Sequence, residues 1–111
     1  MSNIVFAVQE DPRKNLLPAL DFGDVEYILD HRDQITFDSV PWVRRIATAL
    51  RKYTEEDYIL AIGDPAAIGI ACSVAAQRTG GRYKMLKWDR QEQRYFPITI
   101  DISREQSSTP K

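Results

Sequence analysis

Apolar runs of strand length alternate along this chain with helical stretches. The pattern predicts an α/β fold with a small Rossmann-like sheet of roughly 4–5 strands, mostly parallel, a C-terminal antiparallel hairpin and two flanking helices. Three observations carry that expectation. Residues 3–9 (NIVFAVQ), 25–29 (VEYIL) and 58–62 (YILAI) are short apolar runs. Helical patterns begin after residue 37 and after Gly63, each behind a capping residue and a proline. Two more strand patterns, 82–88 and 94–102, are joined by the polar loop DRQEQ. An α+β arrangement with a mainly antiparallel sheet remains the other option.

After the first strand, Asp11-Pro12 starts a turn, and Leu16–Leu20 has room for a helical turn interrupted by Pro18. The second strand ends at the polar break DHRD, and Ile35–Phe37 reads as a brief extended piece. In the first helix Asp38 or Ser39 can accept from free amides, and Pro41 suits a first turn because its missing N–H costs nothing there. Trp42, Ile46, Ala49, Leu50 and Tyr53 then fall on one stripe, away from most of Arg44, Arg45, Arg51 and Lys52. The continuous apolar run 58–62 reads as an interior strand covered on both faces. Asp64-Pro65 opens the second helix, which runs to about Arg78 before Gly80-Gly81 stops it. In the last strand Phe96, Ile98, Ile100 and Ile102 alternate with polar positions, and Pro97 favours an edge.

At 111 residues there is room for one domain, placed at 1–102, with a polar tail at 103–111 expected to be flexible. A hydrophobic share of 43% excludes a disordered chain. The single cysteine, Cys72, cannot form an internal disulfide and fits a reducing compartment. The opening MSNIVFAVQED lacks the basic start of an export signal. The weakly polar stretch 65–76 falls short of the roughly 20 residues that cross a bilayer. These readings place the protein in the cytoplasm, away from membranes. The net charge of −1 hides an asymmetry: residues 1–37 are mostly acidic in their charged positions, and residues 78–94 mostly basic.

Three features invite a functional reading. On the second helix Ala66, Gly69, Ser73 and Ala76 form a stripe of small residues, and no polar face appears until Gln77. The stripe either rests on the chain's own sheet or serves as an interface with a protein partner or a second copy. On the terminal hairpin Arg82, Lys84, Lys87, Arg90 and Arg94 interleave with Trp88 and Tyr95, a pattern suited to nucleic acid. The same residues also describe a charged, self-protecting edge, and a pI near 5.8 is low for a dedicated nucleic-acid binder. The turn Gly63-Asp64-Pro65 lacks both the repeated glycines of a dinucleotide fingerprint and the Lys-Ser/Thr of a phosphate loop. No cofactor is therefore expected.

Catalysis has the least support. Asp30, His31 and Asp33 are a generic polar turn rather than a spaced ligand set, and Cys72 and Ser73 sit inside an apolar helix. No catalytic residue and no metal ligand is assigned.

The stretch DYILAIGDPAAIGIACSVAAQRTGGRYKMLKWDRQEQRYFPITIDI and its upstream companion PALDFGDVEYIL resemble a block found in small bacteriophage accessory proteins of unassigned activity. The likeness centres on Gly63-Asp64-Pro65 and on Lys87-Trp88-Asp89-Arg90. It implies a phage-encoded protein acting in the cytoplasm of an infected host and supplies no catalytic residue. The leading expectation is a non-enzymatic interaction protein that binds a macromolecular partner or itself. The alternative is a nucleic-acid-binding module built on the hairpin.

Overall fold

A computed structural model describes residues 3–103. The strands are β1 (Ile4–Gln9), β2 (Asp24–Leu29), β3 (Tyr58–Leu60), β4 (Arg82–Asp89) and β5 (Arg94–Asp101). The helices are α1 (Val40–Ala49) and α2 (Pro65–Arg78), and a 3-10 helix spans Leu17–Asp21. The sheet runs β2-β1-β3-β4-β5, parallel except for the final β4–β5 pair. The expected α/β class and its hairpin are both present. The tail foreseen at 103–111 lies, apart from Ser103, outside the described residues.

The layering follows from this order and from handedness. The step from β1 to β2 goes one way across the sheet, whereas β2 to β3 and β3 to β4 go the other. Right-handed crossovers then put the connections on opposite faces. The 3-10 helix covers one face with Val5, Ala7, Leu16, Ala19, Leu60, Leu86 and Tyr95. Helices α1 and α2 cover the other, over Phe6, Val8, Leu29 and Ile59. Alternation in β1 feeds both cores, which is why five consecutive residues of it are buried.

Two sequence expectations are corrected. Ile35–Phe37 is loop rather than extended strand, and Phe37 is fully exposed. Strand β3 stops at Leu60 instead of Ile62, because the Ile62 amide turns back to the Leu60 carbonyl while the Ile62 carbonyl accepts from Gln9. Pro97 does lie on an edge strand.

Two buried polar side chains tie the elements together. Asp57, 6% exposed, accepts from the amides of Ile4 and Thr54, both at 2.9 Å, and from the Thr54 hydroxyl at 3.1 Å. Gln9 is discussed with the site below.

Tyr53 closes the helix-side core, with its ring 5.8 Å from Phe6. Its hydroxyl donates to the Asp57 carbonyl and accepts from the Lys84 amide. Burial, the main cause, pushes its pKa up from 10.0 to about 12. The folded state thus holds this proton after an unfolded chain has released it. The stabilisation is complete below pH 10 and drains away as pH rises toward 12. Two units correspond to a loss on the order of 2–3 kcal/mol. Chemical denaturation between these pH values should show that decline, and Tyr53→Phe should make it shallower. Tyr83, also raised to about 12 by burial, adds to the same window.

Candidate functional site

In open parallel sheets, ligands bind beyond the C-terminal strand ends where the direction of winding reverses. Here that point lies between β1 and β3, and the chain fills it with Gln9. Its Oε1 accepts from the Asp64 amide at 2.8 Å, and its Nε2 donates to the carbonyls of Asp30 at 3.0 Å and Asp33 at 2.7 Å. Gly63 passes directly over this side chain with φ +108°. Asp64 caps α2 by accepting from Ala66 N at 2.8 Å. The Gly63-Asp64-Pro65 turn is thereby committed to internal contacts, with a carboxylate where a phosphate would otherwise approach.

The open volume sits one strand further on. Beyond β3 a cavity of about 610 Å³ lies against the last turns of β4. Its apolar lining comes from both sides of the sheet edge, with Leu60, Ile62 and Leu86 from one face and Met85 and Ile98 from the other. Trp88 and Tyr95 form one wall, their rings 4.9 Å apart and steeply tilted. Arg13, Lys14 and Asn15 enter from the β1–β2 connection, and Lys87 and Gln93 from the hairpin. No carboxylate lines it. Strand β4 continues to Asp89 although its last rung with β3 is Leu60 opposite Leu86. A notch therefore opens in the sheet beside Lys87–Asp89.

The hairpin cations are not gathered on one face. Leu86 and Tyr95 belong to the 3-10-helix side, whereas Tyr83 and Met85 pack toward α1 and α2. Alternation then places Arg82, Lys84 and Trp88 with the former, and Lys87 with the latter. Arg94, paired with Asp89, joins Lys87, and Arg90 stands in the turn. Arg82 is engaged by Asp101 at 3.6 Å and Glu55 at 4.0 Å, and the Lys84 ammonium lies 4.7 Å over the Tyr58 ring. Tyr95 is only 9% exposed and Trp88 38%. The cavity thus unites Lys87, Trp88 and Tyr95 but leaves Arg82, Lys84, Arg90 and Arg94 elsewhere. Sequence reasoning missed Arg13 and Lys14, because nothing local says that the loop after β1 arches over β4.

On α2 the residues against the sheet are Ala67, Ala71, Val74 and Ala75. Ala66, Gly69 and Ser73 are exposed and Ala76 half-buried, so most of the small stripe faces outward. A methyl group placed on Gly69 would meet nothing within 4 Å. The Ser73 hydroxyl donates to the Gly69 carbonyl at 2.9 Å. Burial pushes the half-buried Cys72 thiol up from its ordinary value.

His31 meets Asp30 at 3.3 Å and Glu10 at 3.7 Å, so the third member of its group is Glu10 rather than Asp33. Asp33 turns to Arg45, whose guanidinium, 3.0 Å away, holds that carboxyl below its usual range. The Glu10–Asp30–His31 group is largely open to water.

Among the described residues no helix is long and apolar enough to cross a membrane. No curated protein and no solved structure matches the chain. The family model described as Phage Pam3 gp32-like protein matches residues 3–102, a span that holds every strand and helix. The likeness to phage proteins read from residues 18–29 and 57–102 is thereby shown, and the chain belongs to the Phage Pam3 gp32-like protein family.

Proposed function

We propose that this phage protein is a non-enzymatic interaction protein of the host cytoplasm, which binds a protein partner or a second copy of itself through the outward face of α2. The observation that carries this reading is the character of that face. It is exposed at Ala66, Gly69 and Ser73, has no charged side chain from Pro65 to Gln77, and leaves open space above Gly69. Small residues let another backbone approach closely, and an uncharged surface gives up little hydration on contact. The groups that would suit catalysis support the same reading: His31 is held by two exposed carboxylates, and the Cys72 thiol is kept protonated by burial.

The test pairs two substitutions at one position. Gly69→Ala should stabilise the folded chain by about 0.5–1 kcal/mol, because the helix gains propensity and the new methyl meets nothing. Gly69→Glu should leave the fold intact and abolish association. Light scattering over a concentration series, with capture from infected host lysate, reads the outcome. Wild-type and Gly69→Glu chains that behave alike in both measurements would sink the proposal.

A further inference from the structure

We infer that the cavity beside β4 is a binding site for a nucleoside phosphate, taken either as a free nucleotide or as the end of a nucleic-acid strand. The inference is independent of the α2 face, none of whose residues lines the cavity.

Three features of the cavity agree on the chemistry. Its charge is of one sign: Arg13, Lys14 and Lys87 border it and no carboxylate does. Arg13 is held by Asp11 at 3.1 Å, whereas Lys14 and Lys87 form no salt bridge with any described carboxylate. Lys14 enters over one face of the sheet and Lys87 leaves β4 toward the other. Their ammonium groups meet an anion only at the notch, where both residues flank the cavity, and ammonium groups are strong phosphate partners. The walls are flat and apolar, with Trp88 partly exposed at the rim and Leu60 and Ile62 below, which suits a planar ring. The volume of about 610 Å³ falls in the range of small-molecule sites.

Position supplies an independent argument. The cavity opens past the C-terminal end of parallel strand β3 and beside the C-terminal half of β4, the end at which α/β sheets take their ligands. Gln9 blocks the first crevice at that end, and the notch beside Lys87–Asp89 leaves β4 backbone with no strand against it. Asn15 and Gln93 add amide groups at the mouth, able to pair with the polar edge of a base. An anionic partner with an apolar, non-planar body would use the charge but leave the ring wall idle. The pairing of cations with an aromatic rim favours the nucleoside phosphate.

The chain has two tryptophans, so a Trp42→Phe background makes Trp88 the reporter of the site. Titration with adenosine 5′-monophosphate, uridine 5′-monophosphate, adenosine and a single-stranded oligothymidylate should be followed by fluorescence. Isothermal calorimetry on the unaltered chain gives a readout that does not depend on the background. Saturable binding of the nucleotides is expected, with adenosine weaker by about tenfold or more. Lys14→Glu with Lys87→Glu, both at exposed positions, should weaken nucleotide binding by at least about tenfold with the circular dichroism unchanged. Binding of the oligonucleotide alone would name a strand end as the source, and binding of both would name the free nucleotide as sufficient. The inference is overturned if no probe saturates at millimolar concentration, if adenosine binds as well as its phosphate, or if the double lysine variant binds like wild type.

Discussion

Asp57→Ala should lower the free energy of unfolding by about 3–4 kcal/mol, read as a fall in urea midpoint with little change in slope. The carboxylate accepts three hydrogen bonds while almost wholly buried. Its removal takes the acceptor from the half-buried Ile4 amide at the start of β1 and from the Thr54 amide in the loop before β3. Each buried donor left without an acceptor costs about 1–3 kcal/mol. Asp57→Asn separates chemistry from shape. Its single oxygen can serve Ile4 or Thr54 but not both, and its NH2 group then faces a donor. The amide variant should therefore fall nearer to alanine than to wild type. A loss below about 1 kcal/mol for Asp57→Ala would show that the loop relaxes to recover these bonds.

Gly63→Ala should cost about 3–5 kcal/mol, the sum of backbone strain and overpacking. At φ +108° an L-residue is strained before any contact is considered, and the new Cβ would sit 2.3 Å from the Cβ of Gln9. The amide oxygen would also clash, at 2.6 Å, but the nearest obstacle is the first carbon of the glutamine side chain, so turning the amide away gives no full relief. Gln9→Ala keeps that carbon and should not rescue Gly63→Ala. On its own it should also destabilise, by freeing the Asp64 amide and two loop carbonyls. A double-mutant cycle by urea denaturation checks both statements. Near-complete recovery in the double variant would place the clash further out along the side chain.

The elements were legible because their signals are local. Asp64 with Pro65 marks the start of α2, and Gly80-Gly81 its end. Alternation from Phe96 to Ile102 and the position of Pro97 predict an edge strand. Strand order was hidden, since β1 pairs with β2 and with β3, and no residue of β1 advertises either neighbour. The cavity was hidden for the same reason: Lys14 and Lys87 are brought together only by that order. The division of the hairpin cations was available in principle, because a period of two already sends Lys84 and Lys87 to opposite faces. The 3-10 turn at Leu17–Asp21 was visible through Pro18, but its role in covering one face needed the handedness of the whole sheet.

The place of β1 has a consequence for how the protein is born. β1 is synthesised before β2 and β3 yet ends as an inner strand, and the carboxylate that receives its Ile4 amide lies 53 residues downstream. Until Asp57 and β3 have been synthesised, the greasy segment Val5–Val8 can pair only with β2 and keeps one flank bare. Nascent chains hold that half-made state while the residues between β2 and β3 are translated, which makes the interval before β3 emerges the time when chaperone capture or clumping threatens most.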